Sequence, residues 1–247
     1  MIVINDLLKY SNLKIYQDSE SFMFSLDSVL LPNFITINKN AKNILDIGTG
    51  NAPIPLILSK LTNAHIIGVE IQAEIADLAT KSVKCNNLEN QIEIINADIK
   101  ELKLNLESFD IITCNPPYFK VTSEKMLSKK DAKMIARHEV KLNLKEMIEI
   151  ASKLLKDKGV LGIVHRPERL TEIIEFCHQN GLEVKKIQFA YPHKEENANI
   201  LLVEAVKGAR AGLKVLEPII VHEGHEYTEQ VLEYFKERSE QNVSKKL

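Results

Sequence analysis

Asn115-Pro116-Pro117-Tyr118 is the stretch of this chain whose residue types are best suited to chemistry. Two consecutive prolines fix φ and donate no backbone hydrogen bonds. Their carbonyls and the Asn115 side-chain amide can therefore be held ready as acceptors for the N–H groups of a planar amino group. Tyr118 adds a flat face on which a base could stack. The tetrapeptide follows the apolar run Phe109–Cys114, which reads as a buried strand of a parallel sheet. Ligands of open α/β sheets bind beyond the carboxyl ends of the strands, so a substrate would be met here.

A second constellation ends another apolar strand: Asp46-Ile47-Gly48-Thr49-Gly50-Asn51-Ala52. Glycines there allow a tight turn and a close approach to a ligand, which then meets the amide end of the next helix. Glu70, closing the following strand just before Ile71, can accept the hydroxyl protons of a ribose. A dinucleotide fingerprint needs a third glycine where Pro53 stands, and would set a pyrophosphate against the charge of Asp46. A cationic ligand suits that charge, and S-adenosylmethionine carries both a sulfonium and an ammonium. Asp98, in Asn96-Ala97-Asp98 at the end of a third strand, could accept from an adenine amino group. The pocket reads as a site for S-adenosylmethionine and not for NAD.

These residues need strand ends to carry them. Apolar runs predict strands at 43–47, 65–70, 91–96, 109–114 and 159–165, with helices over 53–61, 72–85, 142–155 and 168–179. Asn180-Gly181 signals the end of the last helix. Two final runs, 182–190 and 199–206, are close enough to form a hairpin. Repeated strand–helix units imply an α/β fold: a doubly wound, mostly parallel seven-stranded sheet whose last strand is antiparallel. Asp27 or Ser28 is the expected N-cap of a helix over 29–37. Tyr227, Val231, Leu232 and Phe235 fall on one face of a docking helix, or else form a partner surface, and the tail from about residue 237 is expected to fray.

With 247 residues, 45% of them apolar and 27% charged, the chain suits one large soluble α/β domain with a small extension. A net charge of −2 excludes a global basic field, so a nucleic-acid partner would need a local patch. Lys120, Lys125, Lys129, Lys130, Lys133, Arg137 and Lys141 supply one just after the tetrapeptide, in a polar loop over 119–141, opposed only by Glu124, Asp131 and Glu139. Composition alone also fits a solvated loop. Lys207, Arg210 and Lys214 suggest a second patch. Cys85, Cys114 and Cys177 are scattered without a CxxC, which argues against structural zinc and favours a reducing compartment. His222-Glu223-Gly224-His225 lacks a helix or third ligand, so no metal is expected. The opening Met1–Ile4 run, broken by Asp6, is too short for a signal or a membrane span. A cytoplasmic monomer is the expectation.

The Asp46–Ala52 turn, Glu70, Asn96–Asp98 and Asn115–Tyr118 together resemble class I methyltransferases that modify exocyclic amino nitrogens. Within that class, FMFSLDSVLL at 22–31, NPPYF at 115–119 and Ala136-Arg137-His138-Glu139 resemble the bacterial tRNA1(Val) (adenine-37-N6)-methyltransferase family. The similarity runs from about residue 5 to residue 215. Ala52 departs from it, since the family usually has glycine there.

The resemblance implies a Rossmann-like fold, S-adenosylmethionine as cofactor, and tRNA as partner. Residues 1–41 would cap the cofactor site, 42–215 form the methyltransferase domain and 216–247 a C-terminal extension. Asp46, Gly48, Gly50, Asn51, Glu70, Ile71, Asp98 and Asn115 would line the cofactor, with Phe24 and Asp27 closing it. Asn115 and the carbonyl of Pro116, on the turn stiffened by Pro117, would hold the target amino group. Tyr118 and Phe119 would stack on the base. Two other substrates use the same tetrapeptide, a glutamine amide in release factors and guanine N2 in ribosomal RNA; such enzymes often carry a sizeable extra N-terminal domain. A non-catalytic RNA-binding protein would have no need of the intact tetrapeptide.

Overall fold

Both faces of the central sheet are buried, which is why its strands read as unbroken apolar runs. The computed structural model describes residues 2–7, 12–18, 25–116 and 142–235. In chain order these begin with β1 (Ile2–Asp6), β2 (Lys14–Asp18), α1 (Leu26–Phe34), β3 (Asn43–Ile47), α2 (Pro53–Leu58), β4 (His65–Glu70) and α3 (Ala73–Cys85). Then come β5 (Ile92–Asn96), β6 (Phe109–Cys114), α4 (Leu144–Leu154), β7 (Leu155–His165), α5 (Leu170–Gln179), β8 (Leu182–Tyr191) and β9 (Ile200–Lys207). Short pieces close the described chain: β10 (Lys214–Val215), β11 (Ile219–Ile220), β12 (His222–Glu223), β13 (Glu226–Tyr227) and α6 (Glu229–Glu233).

The main sheet runs β10-β8-β9-β7-β6-β3-β4-β5, with β11 also pairing with β8. Its seven long strands are the seven expected; β10 and β11 add two residues each at the β8 edge. β3, β4, β5, β6 and β7 are parallel, and β9 runs antiparallel to both β7 and β8. The chain leaves β3 toward β4 and β5, then returns on the other side as β6. That reversal opens a crevice between β3 and β6 at their carboxyl ends. Ile47 stands opposite Cys114 there, so the glycine turn and Asn115 leave the sheet side by side.

Alternating residues of β3 feed two cores. Ile44 joins Leu30, Ile57, Ile66 and Leu202 on one face, while Leu45 joins Ile112, Ile148, Ile163 and Ile173 on the other. Val231 of α6 and Phe235 just beyond it reach the first core, while Leu232 stays 40% exposed. Among the described residues no helix is long and apolar enough to cross a membrane.

The elements depart from expectation in three places. α1 starts at Leu26 behind Ser25, which holds the extended cap conformation (φ −105°, ψ 167°), so Asp27 and Ser28 lie inside the first turn instead of capping it. β7 begins at Leu155, directly after α4, because Lys158 takes φ +60° and the pairing with β6 slips between Phe109 and Ile111. The β1–β2 hairpin was not anticipated. Its outer edge is completed by side chains: Asn86 bonds the Lys14 N–H and carbonyl (2.9 and 2.7 Å), and the Ser82 hydroxyl accepts the Tyr16 N–H at 2.9 Å.

Candidate functional site

The turn after β3 depends on left-handed backbone at Gly48 (φ +68°), Gly50 (φ +59°) and Ala52 (φ +71°). The first two are glycine, which adopts that region without a Cβ penalty. The turn is bonded to the end of β4. Val69 carbonyl accepts the N–H groups of Gly48 and Thr49 at 2.9 and 3.0 Å. Glu70, 4% exposed, accepts the Gly50 N–H on Oε2 at 3.0 Å and the Gln72 N–H on Oε1 at 2.9 Å. Oε1 also accepts from Gln72 Nε2 at 3.5 Å, so Oε2 is the oxygen that keeps a lone pair for a further donor such as a ribose hydroxyl. The Glu70 carbonyl in turn accepts from Asn96 Nδ2 (2.8 Å) and Ala97 N–H (3.1 Å), tying in the end of β5. Half-buried Asp98 spends Oδ1 on the Lys100 N–H at 3.0 Å, and half-buried Ile71 follows Glu70.

Asp46 is 1% exposed below this turn. Thr113 Oγ1 donates to its Oδ1 at 2.6 Å, while Oδ2 is buried with no hydrogen-bond partner. Burial pushes the carboxyl up to about 7; the Thr113 and Thr49 hydroxyls hold it down and the charge of Glu70 raises it further. A buried acceptor of this kind is well matched to a cationic group.

Asn115 leaves β6 half-buried, and its Nδ2 donates to the Ser28 hydroxyl of α1 at 3.0 Å. Half-buried Pro116 follows. Asp27 sits beside Ser28 in α1, so the N-terminal segment reaches the crevice. It does so again at Asn51, whose Nδ2 donates to the Tyr16 carbonyl of β2 at 2.9 Å, spending that amide donor on the hairpin. Phe24, Pro117, Tyr118, Phe119, Lys120, Lys125, Lys129, Lys130, Lys133 and Arg137 lie outside the described residues.

Ser28, Thr113 and Gln72 are the polar residues of the site that sequence reasoning did not assign. A serine followed by an apolar helical run gave a capping signal only. Of the suggested second basic patch, Lys207 stands at the far, amino-end rim: it closes antiparallel β9 opposite Leu182 and pairs with Glu107 at 3.0 Å. His165, 6% exposed at the end of β7, accepts the Arg166 N–H on Nδ1, and burial lowers its pKa to about 4, so it is a neutral structural ring. His222 stacks on Tyr227 with ring centroids 5.0 Å apart.

The rim thus brings together a glycine turn, three carboxylates suited to a cationic, hydroxyl-bearing ligand, and an anchored amide beside a proline. A protein of Cytophaga hutchinsonii named tRNA1(Val) (adenine(37)-N6)-methyltransferase is 25% identical over 191 residues, 77% of this chain and 79% of that one. A protein of the same name from Parabacteroides distasonis is 24% identical over 92% of this chain and 94% of its own length. Among solved structures, a predicted O-methyltransferase from Agrobacterium tumefaciens superimposes with a TM-score of 0.66 at 25% identity, covering 85% of this chain and 95% of that one. The family model described as a methyltransferase domain matches residues 38–205, and the chain belongs to that methyltransferase family.

Proposed function

We propose that this enzyme methylates the N6 amino group of an adenine in tRNA, with adenine 37 of tRNA-Val as the candidate position. The names of the relatives supply the substrate class, and one observation carries the chemistry. An anchored asparagine amide leaves the sheet on the strand next to the glycine turn, with Ile47 and Cys114 in register. The cofactor is S-adenosylmethionine, whose sulfonium supplies an activated methyl group. Glu70 and Asp98 are the candidates to accept from its ribose and adenine, and the buried Asp46 carboxyl is the candidate acceptor facing its cationic groups.

The adenine amino group is a weak nucleophile because its lone pair is delocalised into the ring. Asn115 Oδ1 and the Pro116 carbonyl, accepting its two N–H bonds, hold the nitrogen out of conjugation and stabilise the positive charge that develops on it. No strong general base is needed. Holding donor and acceptor in line contributes up to about 7–11 kcal/mol in favourable cases. Extruding a base costs a few kcal/mol, least for an unpaired one, and stacking on an aromatic ring offsets about 1–3 kcal/mol of it. Tyr118 and Phe119 are the candidates for that ring, and Lys120, Lys125, Lys129, Lys130, Lys133 and Arg137 for the phosphate contacts. Residues 1–41 act as a cap, through the Ser28–Asn115 and Tyr16–Asn51 bonds. A tRNA substrate places the reaction in the cytoplasm, a compartment that suits three free thiols.

Incubation with labelled S-adenosylmethionine and unmodified tRNA, a release factor or ribosomal subunits tests the substrate: label should enter tRNA as N6-methyladenosine. Label in protein or guanine instead rejects the reading. Asn115→Ala should lower turnover by about 10²-fold or more while calorimetric cofactor affinity changes little. Turnover within a few-fold of wild type would refute the role of Asn115.

A further inference from the structure

We propose that Ser28 is a positioning residue for the reaction: its hydroxyl anchors the Asn115 amide in the crevice, bonded at Nδ2, with Oδ1 left to meet the substrate. The inference rests on the catalytic reading of Asn115 given above and adds a residue from a different part of the chain.

An asparagine side chain is nearly symmetric in shape, and a half-turn about its last bond exchanges an acceptor for a donor. The exchange matters here. An NH₂ presented to the NH₂ of a base makes no hydrogen bond and opposes the positive charge that develops on the reacting nitrogen. Ser28 Oγ accepts from Asn115 Nδ2 at 3.0 Å, which occupies the nitrogen end of the amide and leaves the oxygen end for another donor. Ser28 is only 4% exposed, so water cannot readily substitute for it.

The hydroxyl can do this only if α1 is itself immovable, and three contacts make it so. Gly162 of β7 lets α1 approach so closely that a Cβ there would lie 2.4 Å from Ile35 Cγ2. Just past the helix, Glu204 of β9 accepts the Thr36 N–H at 2.6 Å and its hydroxyl at 3.0 Å. Lys186 of β8 bonds both Glu204 (2.7 Å) and the Phe34 carbonyl (2.8 Å). The carboxyl-terminal end of α1 is thus fastened to three strands, and its first turn carries Ser28 to the crevice as a rigid strut. Gly162 is paired with Thr113, the residue that bonds Asp46, so strut, amide and cofactor turn share one stretch of sheet.

Ser28→Ala and Ser28→Thr, assayed beside wild type and Asn115→Ala, test the proposal. Ser28→Ala should lower kcat about five- to tenfold, the worth of one hydrogen bond, with the KM values for RNA and cofactor and the melting temperature unchanged. Ser28→Thr, which keeps a hydroxyl, should recover most of the loss. Should Ser28→Ala fail to fold, Ser28→Cys offers a weak acceptor of similar size and should show the same fall in kcat. Full turnover in Ser28→Ala or Ser28→Cys, with Asn115→Ala inactive, overturns the role of Ser28 and leaves that of Asn115 standing. Full turnover in Asn115→Ala would instead reject the site reading itself.

Discussion

The Thr113 hydroxyl donates to Asp46 Oδ1 at 2.6 Å, a bond from β6 to β3 directly beneath the glycine turn. It partly compensates a carboxyl buried with its other oxygen unpartnered. The consequence is a pH dependence with a definite sign. Burial is the main cause that raises Asp46 from 3.8 in the unfolded chain to about 7 in the folded protein. Between those values the folded state holds the extra proton, so stability falls as pH rises through that window and levels off above it. Asp110 and Glu149 are shifted downward and act in the opposite sense, at the acid end. Urea unfolding at a series of pH values should therefore show wild type losing stability from about pH 4 to pH 7 relative to Asp46→Asn. Parallel profiles for the two proteins would refute the assignment.

The buried pair behind α1 makes a second prediction, on stability alone. Lys186 and Glu204 have side chains only 17% and 7% exposed and lie 2.7 Å apart. Lys186→Met would strand the Glu204 carboxylate with the two Thr36 donors, and removing one partner of a buried pair typically costs about 3–5 kcal/mol. Adding Glu204→Gln removes the stranded charge while keeping an acceptor for the Thr36 N–H. The double variant should therefore recover most of the loss in chemical denaturation. If the single variant is as stable as wild type, the pair does not fasten α1.

How far this site could be read from the chain depends on the distance over which its contacts act. The strands were legible because burial on both faces leaves long apolar runs, and the two turns at the rim were legible because glycine and proline impose local geometry. Ala52 shows the strength of that signal: even where alanine replaces the usual glycine, the backbone keeps φ +71°. The hairpin β1–β2 was not legible because its edge partners, Asn51 and Asn86, lie 35 and 72 residues away from the groups they bond. Nor was the Ser28–Asn115 bond, which spans 87 residues. Asp27 and Ser28 both have the chemistry of a helix cap, and only tertiary packing put Ser25 in that place and turned Ser28 toward the crevice.

Gly162 supplies the last prediction, since it joins the fold to the chemistry. A Cβ there would lie 2.4 Å from Ile35 Cγ2, far inside contact distance, and Ile35 is only 6% exposed, with little room to move. Gly162→Ala should therefore cost about 1–3 kcal/mol as overpacking in a filled core. The relief is as specific as the clash: Ile35→Ala removes the offending methyl, so the double variant should be more stable than the sum of the two singles predicts, a coupling readable in a double-mutant cycle. The single variant should also lose turnover out of proportion to cofactor affinity, because pushing α1 outward carries Ser28 away from Asn115. Additive stabilities would mean that α1 does not rest on Gly162. An unchanged turnover in a measurably destabilised Gly162→Ala would mean that the position of α1 does not reach the Asn115 amide.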